Sequence, residues 1–291
     1  MDHFLYSKNY LEIILKLYKI CLQTFWICAI RGLVQISISA NLLKPIVSGG
    51  GLVARKRVNT TKCEIIQHAT KLFLEVGYSA TPPKRICDEL DISTGNLTYY
   101  FPTKEHLLTV LVKMLCDFQR KLLQDAVEEG QTSLLAVCLE LVTMTAASEE
   151  NEIAKDLFLS SYSSPMCLEI IRKNDNERAK MVYGEFCSDW DEEQFAEAET
   201  LVSGIEYATL MTTDVSAPLE MRITGALNNI MRIYNVPEEL RKTMIQKVLK
   251  MDYRTLGKTV LENFKDFVYQ TNELSFQTLQ SDVEQFKEVT V

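Results

Sequence analysis

The chain has 291 residues, 47 % hydrophobic and 24 % charged, values of a globular protein that exclude a disordered chain. Leu, Glu, Lys, Met and Ala dominate while 11 Gly and 7 Pro punctuate the length, so the expected fold class is all-α. The net charge of −8 is uneven: residues 53–115 hold nine Lys/Arg against six Asp/Glu, and residues 116–291 hold seventeen against thirty-one. A small basic head therefore precedes a long acidic body, and only the head suits an approach to phosphate. The eight cysteines stand singly, without a C-x-x-C pair, and there are three histidines. That pattern offers neither a zinc site nor a disulfide framework and fits reduced thiols in a cytoplasmic protein.

Residues 1–52 differ from the rest of the chain. No acidic residue occurs between Glu12 and Glu64. The run "ICLQTFWICAIRGLVQISISANLL" is apolar but split by Arg31. A membrane helix needs about 20 predominantly apolar residues, and a central arginine costs roughly 2.5–3.5 kcal/mol. A membrane tether and a folded extension are both open readings. A signal peptide fits poorly, because its apolar core is shorter and ends at a small-residue cleavage site.

From residue 61 the spacing becomes helical. Ile65, Ile66, Ala69, Leu72, Phe73 and Val76 form one stripe over 61–76, with Thr60 or Thr61 as the expected N-cap and Gly77 as a left-handed stop. Pro82 or Pro83 then opens a short helix over 83–90, whose apolar face is Ile86, Cys87 and Leu90. Asp91 takes the turn and Ile92 plugs back inward. Ser93 caps a second short helix, about 94–100. Two short helices across a tight turn, braced by a longer one, make a helix-turn-helix, whose second helix enters the major groove with its N-terminus leading.

The expected reading edge is Ser93, Thr94, Gly95 and Asn96: small or hydrogen-bonding groups, with a glycine for close approach. Leu97 and Phe101 point inward. Thr98, Tyr99 and Tyr100 carry hydroxyls suited to phosphate or base edges, although Tyr100 is open to either face. Thr103 caps the next helix, and Lys104 in its first turn completes a phosphate seat. Lys84, in the first short helix, is a further candidate cation.

At these residues the chain resembles the DNA-binding domain of the tetracycline-repressor (TetR) family of bacterial transcription regulators. The resemblance is carried by "LFLEVGY", Thr81, Ile86, "IS-x-G-x-L" at 92–97 and "YF-x-x-KE-x-LL" at 100–108. It runs over about 50 residues of the chain. Thr98 stands where that family often has a backbone-contacting tyrosine, and Tyr99 is the neighbour able to cover that phosphate. Asp91 stands in place of the usual turn glycine, and Pro82 and Pro83 in place of a hydroxyl cap and an aliphatic residue.

The glycine run before Val53 allows one more reading of residues 1–52. In a bacterial gene, codons for Gly-Gly can form a ribosome-binding purine tract, and a valine codon can serve as a start. Residues 1–52 would then be translated upstream sequence. The domains expected are 1–52 as an atypical extension, 53–103 as the helix-turn-helix head and 104–291 as a helical body.

Helices are expected in the body at 104–128, 131–147, 150–162, 166–188, 191–212, 218–234, 237–251 and 253–280. No phosphate loop, nucleophile elbow or H-E-x-x-H occurs, so no catalytic residue, metal site or cofactor is expected. The resemblance implies that the body supplies an effector pocket and a homodimer interface. Met144, Met181, Met211, Met221 and Met231 are candidate pocket methionines, and Tyr162, Tyr183, Tyr207 and Asn228 candidate polar contacts. Ala198, Ser203, Gly204 and Ala208 would permit close helix approach. The expected partners are double-stranded DNA, a small-molecule effector and a second copy, the function that of a ligand-responsive repressor at a palindromic operator. Alternatives are a membrane-tethered regulator and a partner-binding module that does not touch DNA.

Overall fold

Eleven helices succeed one another among the described residues, with no strand between them. The computed structural model describes residues 49–128 and 132–288, with side chains over 61–128 and 132–275. The chain divides into Met1–Ala54 and Arg55–Val291, and the second unit contains the helix-turn-helix and the body. The expectations for residues 1–52 lie outside the described residues, apart from 49–52 at the start of the first helix. No described helix is long and apolar enough to cross a membrane.

The head is α1 (Gly49–Glu75), α2 (Pro83–Leu90) and α3 (Thr94–Tyr100), with the start of α4 (Lys104–Glu128). α1 starts earlier than its stripe predicts, and Thr60 and Thr61 lie within it rather than capping it. No proline or glycine occurs from Leu52 to Glu75, so nothing stops the helix there. Gly77 leaves α1 at φ +104°, a conformation that side chains resist. Pro83 is the first residue of α2, while Pro82 precedes it in extended backbone. Asp91 closes α2 at φ 51°, ψ 45°, the left-handed region, and its N–H donates to the Cys87 carbonyl. Ser93 caps α3, its Oγ accepting the Asn96 N–H at 3.1 Å. Thr103 serves α4 otherwise than expected: its hydroxyl meets His106 Nδ1 at 2.8 Å.

Ile65, Phe73, Ile86, Leu97, Phe101, Leu108 and Leu111 are buried together, which pins the three head helices. The same core continues into the body through Leu157, Cys167, Ile171, Phe264 and Val268. Polar ties take the same path: Gln67 donates to the Asn272 carbonyl at 2.9 Å, and Asn272 donates to Thr70 Oγ1 at 2.9 Å.

The body comprises α4, α5 (Ser133–Glu150), α6 (Glu152–Ser163), α7 (Pro165–Tyr183), α8 (Glu192–Leu210), α9 (Leu219–Ile233), α10 (Glu238–Leu249) and α11 (Tyr253–Glu288). α5 is the central helix, with Leu141 through Ser148 buried in unbroken succession. Its hydroxyls are satisfied internally: Thr145 donates to the Leu141 carbonyl and Ser148 to the Met144 carbonyl. α11 crosses α5 at Gly257, where a Cβ would lie 2.8 Å from the Thr143 carbonyl oxygen.

α7 stops at Tyr183, short of the expected 188. The chain turns at Gly184, so that Cys187 Sγ donates to the Tyr234 carbonyl at 3.3 Å. Pro218 and Pro237 occupy the N-cap positions of α9 and α10, one residue outside the helices they were expected to enter. α8 opens on a capping box, Asp191 with Gln194.

Asp91 holds a left-handed conformation at a cost that a β-branched residue would raise. Asp91→Val is expected to lower stability by about 1–2 kcal/mol, with Asp91→Asn near neutral, measured by urea unfolding.

A candidate nucleic-acid interface and a buried polar cavity

α3 is too short to bury two faces, so Leu97 anchors it and the rest of its surface is free. Ser93, Thr94, Gly95, Asn96, Thr98 and Tyr99 are all exposed, Tyr99 at 73 %. Tyr100 is half-buried and packs edge-on against Tyr99, with ring centroids 5.0 Å apart. The Thr98 hydroxyl donates to the Thr94 carbonyl at 3.0 Å, leaving its oxygen as an acceptor. A Cβ at Gly95 would meet nothing closer than Ser93 Oγ at 3.8 Å. The fold itself therefore does not require this glycine, which weakens a helix by about 1 kcal/mol relative to alanine. Lys84 is exposed on α2.

Lys104, expected as a phosphate cation, is engaged within the head. Its ammonium donates to the Tyr78 carbonyl at 2.9 Å and lies 3.9 Å from the centroid of the Tyr78 ring. Burial there lowers its pKa, opposed by the charge of Asp156. Asp156, on α6, also accepts the Ser79 N–H at 2.8 Å and the Ser79 hydroxyl. Lys104 and Asp156 thus grip the α1–α2 turn from two sides. The carbonyl and ring of Tyr78 draw the lysine inward.

The second feature is a cavity of about 70 Å³ inside the body. Residues from α4 to α9 line it, among them Met144, Tyr162, Tyr183 and Met231. Its polar groups are more informative. Glu140, Asp175, Glu199 and Glu206 bring four carboxyls to it, and Arg178 brings one guanidinium. Arg178 pairs with Glu140 and, at 3.1 Å, with Asp175. Tyr234 donates its hydroxyl to Glu199, and Tyr162 donates to Glu206 at 2.7 Å. Tyr183 and Tyr234 stack with centroids 4.1 Å apart.

Desolvation dominates the titration of these acids. It raises Glu199 to about 7 and Asp175 to about 6, and raises Glu206 well above the usual carboxyl range. Arg178 is shifted upward by Glu140 and Asp175, against the effect of its burial, and keeps its charge.

Of the expected pocket residues, Tyr162 and Tyr183 line the cavity, as do Met144 and Met231. Tyr207, Met211 and Asn228 do not. Met211 is 46 % exposed, and Asn228 accepts a hydrogen bond from Arg241 Nε at 3.1 Å. Met181 and Met221 point to solvent. The carboxyls, Arg178 and Tyr234 were missed by sequence reasoning. The available signal was the spacing of Glu199, Val202 and Glu206, which sets two acids on an otherwise apolar helix face. Among the described residues, no group of three or more His, Cys, Asp or Glu side chains is disposed to hold a metal ion.

A family model described as "Bacterial regulatory proteins, tetR family" matches residues 65–111, which run from α1 into α4. Over those residues the head is similar to the tetR family. A curated relative, the HTH-type transcriptional regulator HbdR of Aromatoleum sp. (strain CIB), is 37 % identical over 79 residues. That match covers 27 % of this chain and 32 % of the relative, so the chain spans about a third of the relative's length. Among solved structures, the TetR family protein CprB from S. coelicolor A3(2) is similar at 19 % identity and TM-score 0.37, covering 71 % of this chain and 98 % of that one. A gamma-butyrolactone receptor (ArpA-like protein) is similar at 18 % identity and TM-score 0.36, over 72 % of this chain and 99 % of that one.

The raised pKa of Glu199 gives a pH dependence with a definite sign. Its folded value, about 7, lies above the ordinary 4.5, so the folded state holds more protons between those values. Stability from this group is full below about 4.5 and falls as pH rises towards 7. Glu199→Gln keeps a hydrogen-bond acceptor for Tyr234 without the charge. It is expected to raise stability at pH 8 by on the order of 1–3 kcal/mol and to flatten this loss, measured by thermal unfolding across pH.

Proposed function

We propose that the protein is a ligand-responsive transcription regulator that binds a palindromic DNA operator as a homodimer and acts as a repressor. The observation that carries this reading is the free N-terminal edge of α3. There Thr94, Gly95 and Asn96 stand exposed, and a glycine occupies a position that the fold leaves open. The tetR-family match over the head supports the same reading. Asn96 would read a base edge, Gly95 would let the backbone approach, and Tyr99 and Lys84 would reach phosphate.

One short helix reads only a few base pairs, so a two-fold pair is needed, with half-sites about one helical turn apart. An outer groove on α8 and α9 supports that pairing. Leu201, Ile205, Asn229, Arg232 and Ile233 line it, and Leu201 is 54 % exposed. Gly204 and Ala208 are exposed on α8, with open space above Gly204, whereas Ala198 and Ser203 face inward. A second copy would lay its own α8 and α9 on this face. An effector in the cavity would favour a head spacing that no longer matches successive major grooves.

DNA selected from a random pool tests the reading; failure to enrich any sequence would refute it. On the selected site, Asn96→Ala is expected to weaken binding by about 1–3 kcal/mol and to relax preference at one base position, measured by titration against single-base variants. Leu201→Glu combined with Ile205→Glu is expected to give a monomer in sedimentation, with operator affinity reduced and the helical spectrum retained.

A further inference from the structure

We propose that the cavity in the body binds a small organic cation, an ammonium group carrying a hydrogen-bond acceptor, as the effector. The proposal names the ligand class of the regulator reading and rests on that reading for its consequence on DNA, not for the binding itself.

With all of its acids ionised, the charges around this cavity would not balance. Four carboxyls line the cavity against one lining guanidinium. Arg178 is already committed to Glu140 and Asp175 through its terminal nitrogens. Glu199 and Glu206 are left with the phenols of Tyr234 and Tyr162, which donate hydrogen bonds but bring no charge. Arg172 is the next cation, and its Nε is occupied by Ser203 Oγ at 3.0 Å. Two carboxyls therefore face one small cavity without a positive partner of their own. A ligand anion would worsen this balance, and a neutral ligand would leave it as it is. A cation corrects it.

Two further observations narrow the ligand. Tyr162, Tyr183 and Tyr234 line the same space, and aromatic faces attract ammonium groups. Arg178 is 7 % exposed, and its Nε is buried without a hydrogen-bond partner. A buried donor left unpaired is costly, so an acceptor on the ligand has a place to go. A hydroxyl or carbonyl near the ammonium meets that need. The carboxyls are not arranged to hold a metal ion, so an organic cation is the form of positive charge that fits.

Desolvation raises Glu199 to about 7 and Glu206 well above the usual carboxyl range, so each holds a proton more readily than a free carboxyl. Binding a cation must then release a proton. The groups facing these carboxyls are Asp175, Arg178 and Tyr183 from α7, Glu140 from α5, Tyr162 from α6 and Tyr234 at the end of α9. Asp175, raised to about 6 by desolvation, titrates close to Glu199.

The test uses the full chain and matched probes. Choline and benzyltrimethylammonium are compared with neutral isosteres that carry carbon in place of nitrogen, and choline also with 3,3-dimethylbutyrate. Binding is read by thermal shift and by the fluorescence of Trp190, which packs 5.9 Å from Tyr234. The expected result is at least a ten-fold preference for a cation over its neutral isostere. Affinity should rise with pH between 5 and 8, by at most about ten-fold per unit for each proton released. Glu206→Gln and Glu199→Gln should each lower cation affinity by ten-fold or more and leave the neutral isostere unchanged. The melting temperature of each variant at pH 5 should match the parent, which controls for folding. Cations no tighter than their isosteres, or insensitive to both glutamine variants, would overturn the proposal. Release of selected DNA by the neutral or anionic probes alone would also overturn it while leaving the regulator reading standing. Tight cation binding by a chain that selects no DNA would do the reverse.

Discussion

A guanidinium taken out of water keeps its charge, so the interior around it must be acidic. Arg178 imposes that condition on the centre of the body. Glu140 on α5 and Asp175 on its own helix answer it, and Arg120 on α4 joins the network through Asn174 at 2.9 Å. Removing one partner of such a buried set is strongly destabilising, by roughly 3–5 kcal/mol, because a charge is left behind. The helices around the cavity are thus positioned by electrostatics as well as by apolar packing. The remaining acids, Glu199 and Glu206, sit where the same dry surroundings raise their pKa.

Much of the fold was legible because its signals are local. Ser93 caps α3 at the position its hydroxyl predicts, Pro83 opens α2, and Ile65, Ala69, Leu72 and Phe73 of the α1 stripe are buried. Asp91 took the left-handed turn because its short polar side chain tolerates it. The misses were non-local. α7 ends at Tyr183, and beyond it Cys187 bonds to Tyr234, 47 residues away, a contact that no helical window contains. The cavity was read through methionines, since an adaptable side chain is the obvious filler. Its defining groups were acids that pattern reading assigns to solvent. Met181 and Met221 stand on solvent-facing positions of α7 and α9, and Met211 is exposed at the C-cap of α8.

Lys104 shows how one position can satisfy a motif and still serve another purpose. In sequence it is a cation in the first turn of a helix, the arrangement that suits phosphate. In space it is the donor that holds the Tyr78 carbonyl. The turn it holds is also gripped by Asp156 from the body, so the geometry of the head is partly set by a helix that also carries Tyr162 into the cavity. Both ends of α6 therefore have polar commitments, one to the α1–α2 turn and one to Glu206.

The apolar core that runs from Phe73 and Leu111 into Leu157, Ile171 and Phe264 has no seam at the boundary between head and body. A wall of the head is made of body residues. Cut after Phe101, the head would keep its three helices in sequence but lose Leu107, Leu108, Leu111 and the body residues that share its core. It would be an open half-core, not a smaller domain. The two regions share one core, and part of the core that α3 joins through Leu97 comes from residues more than a hundred positions away.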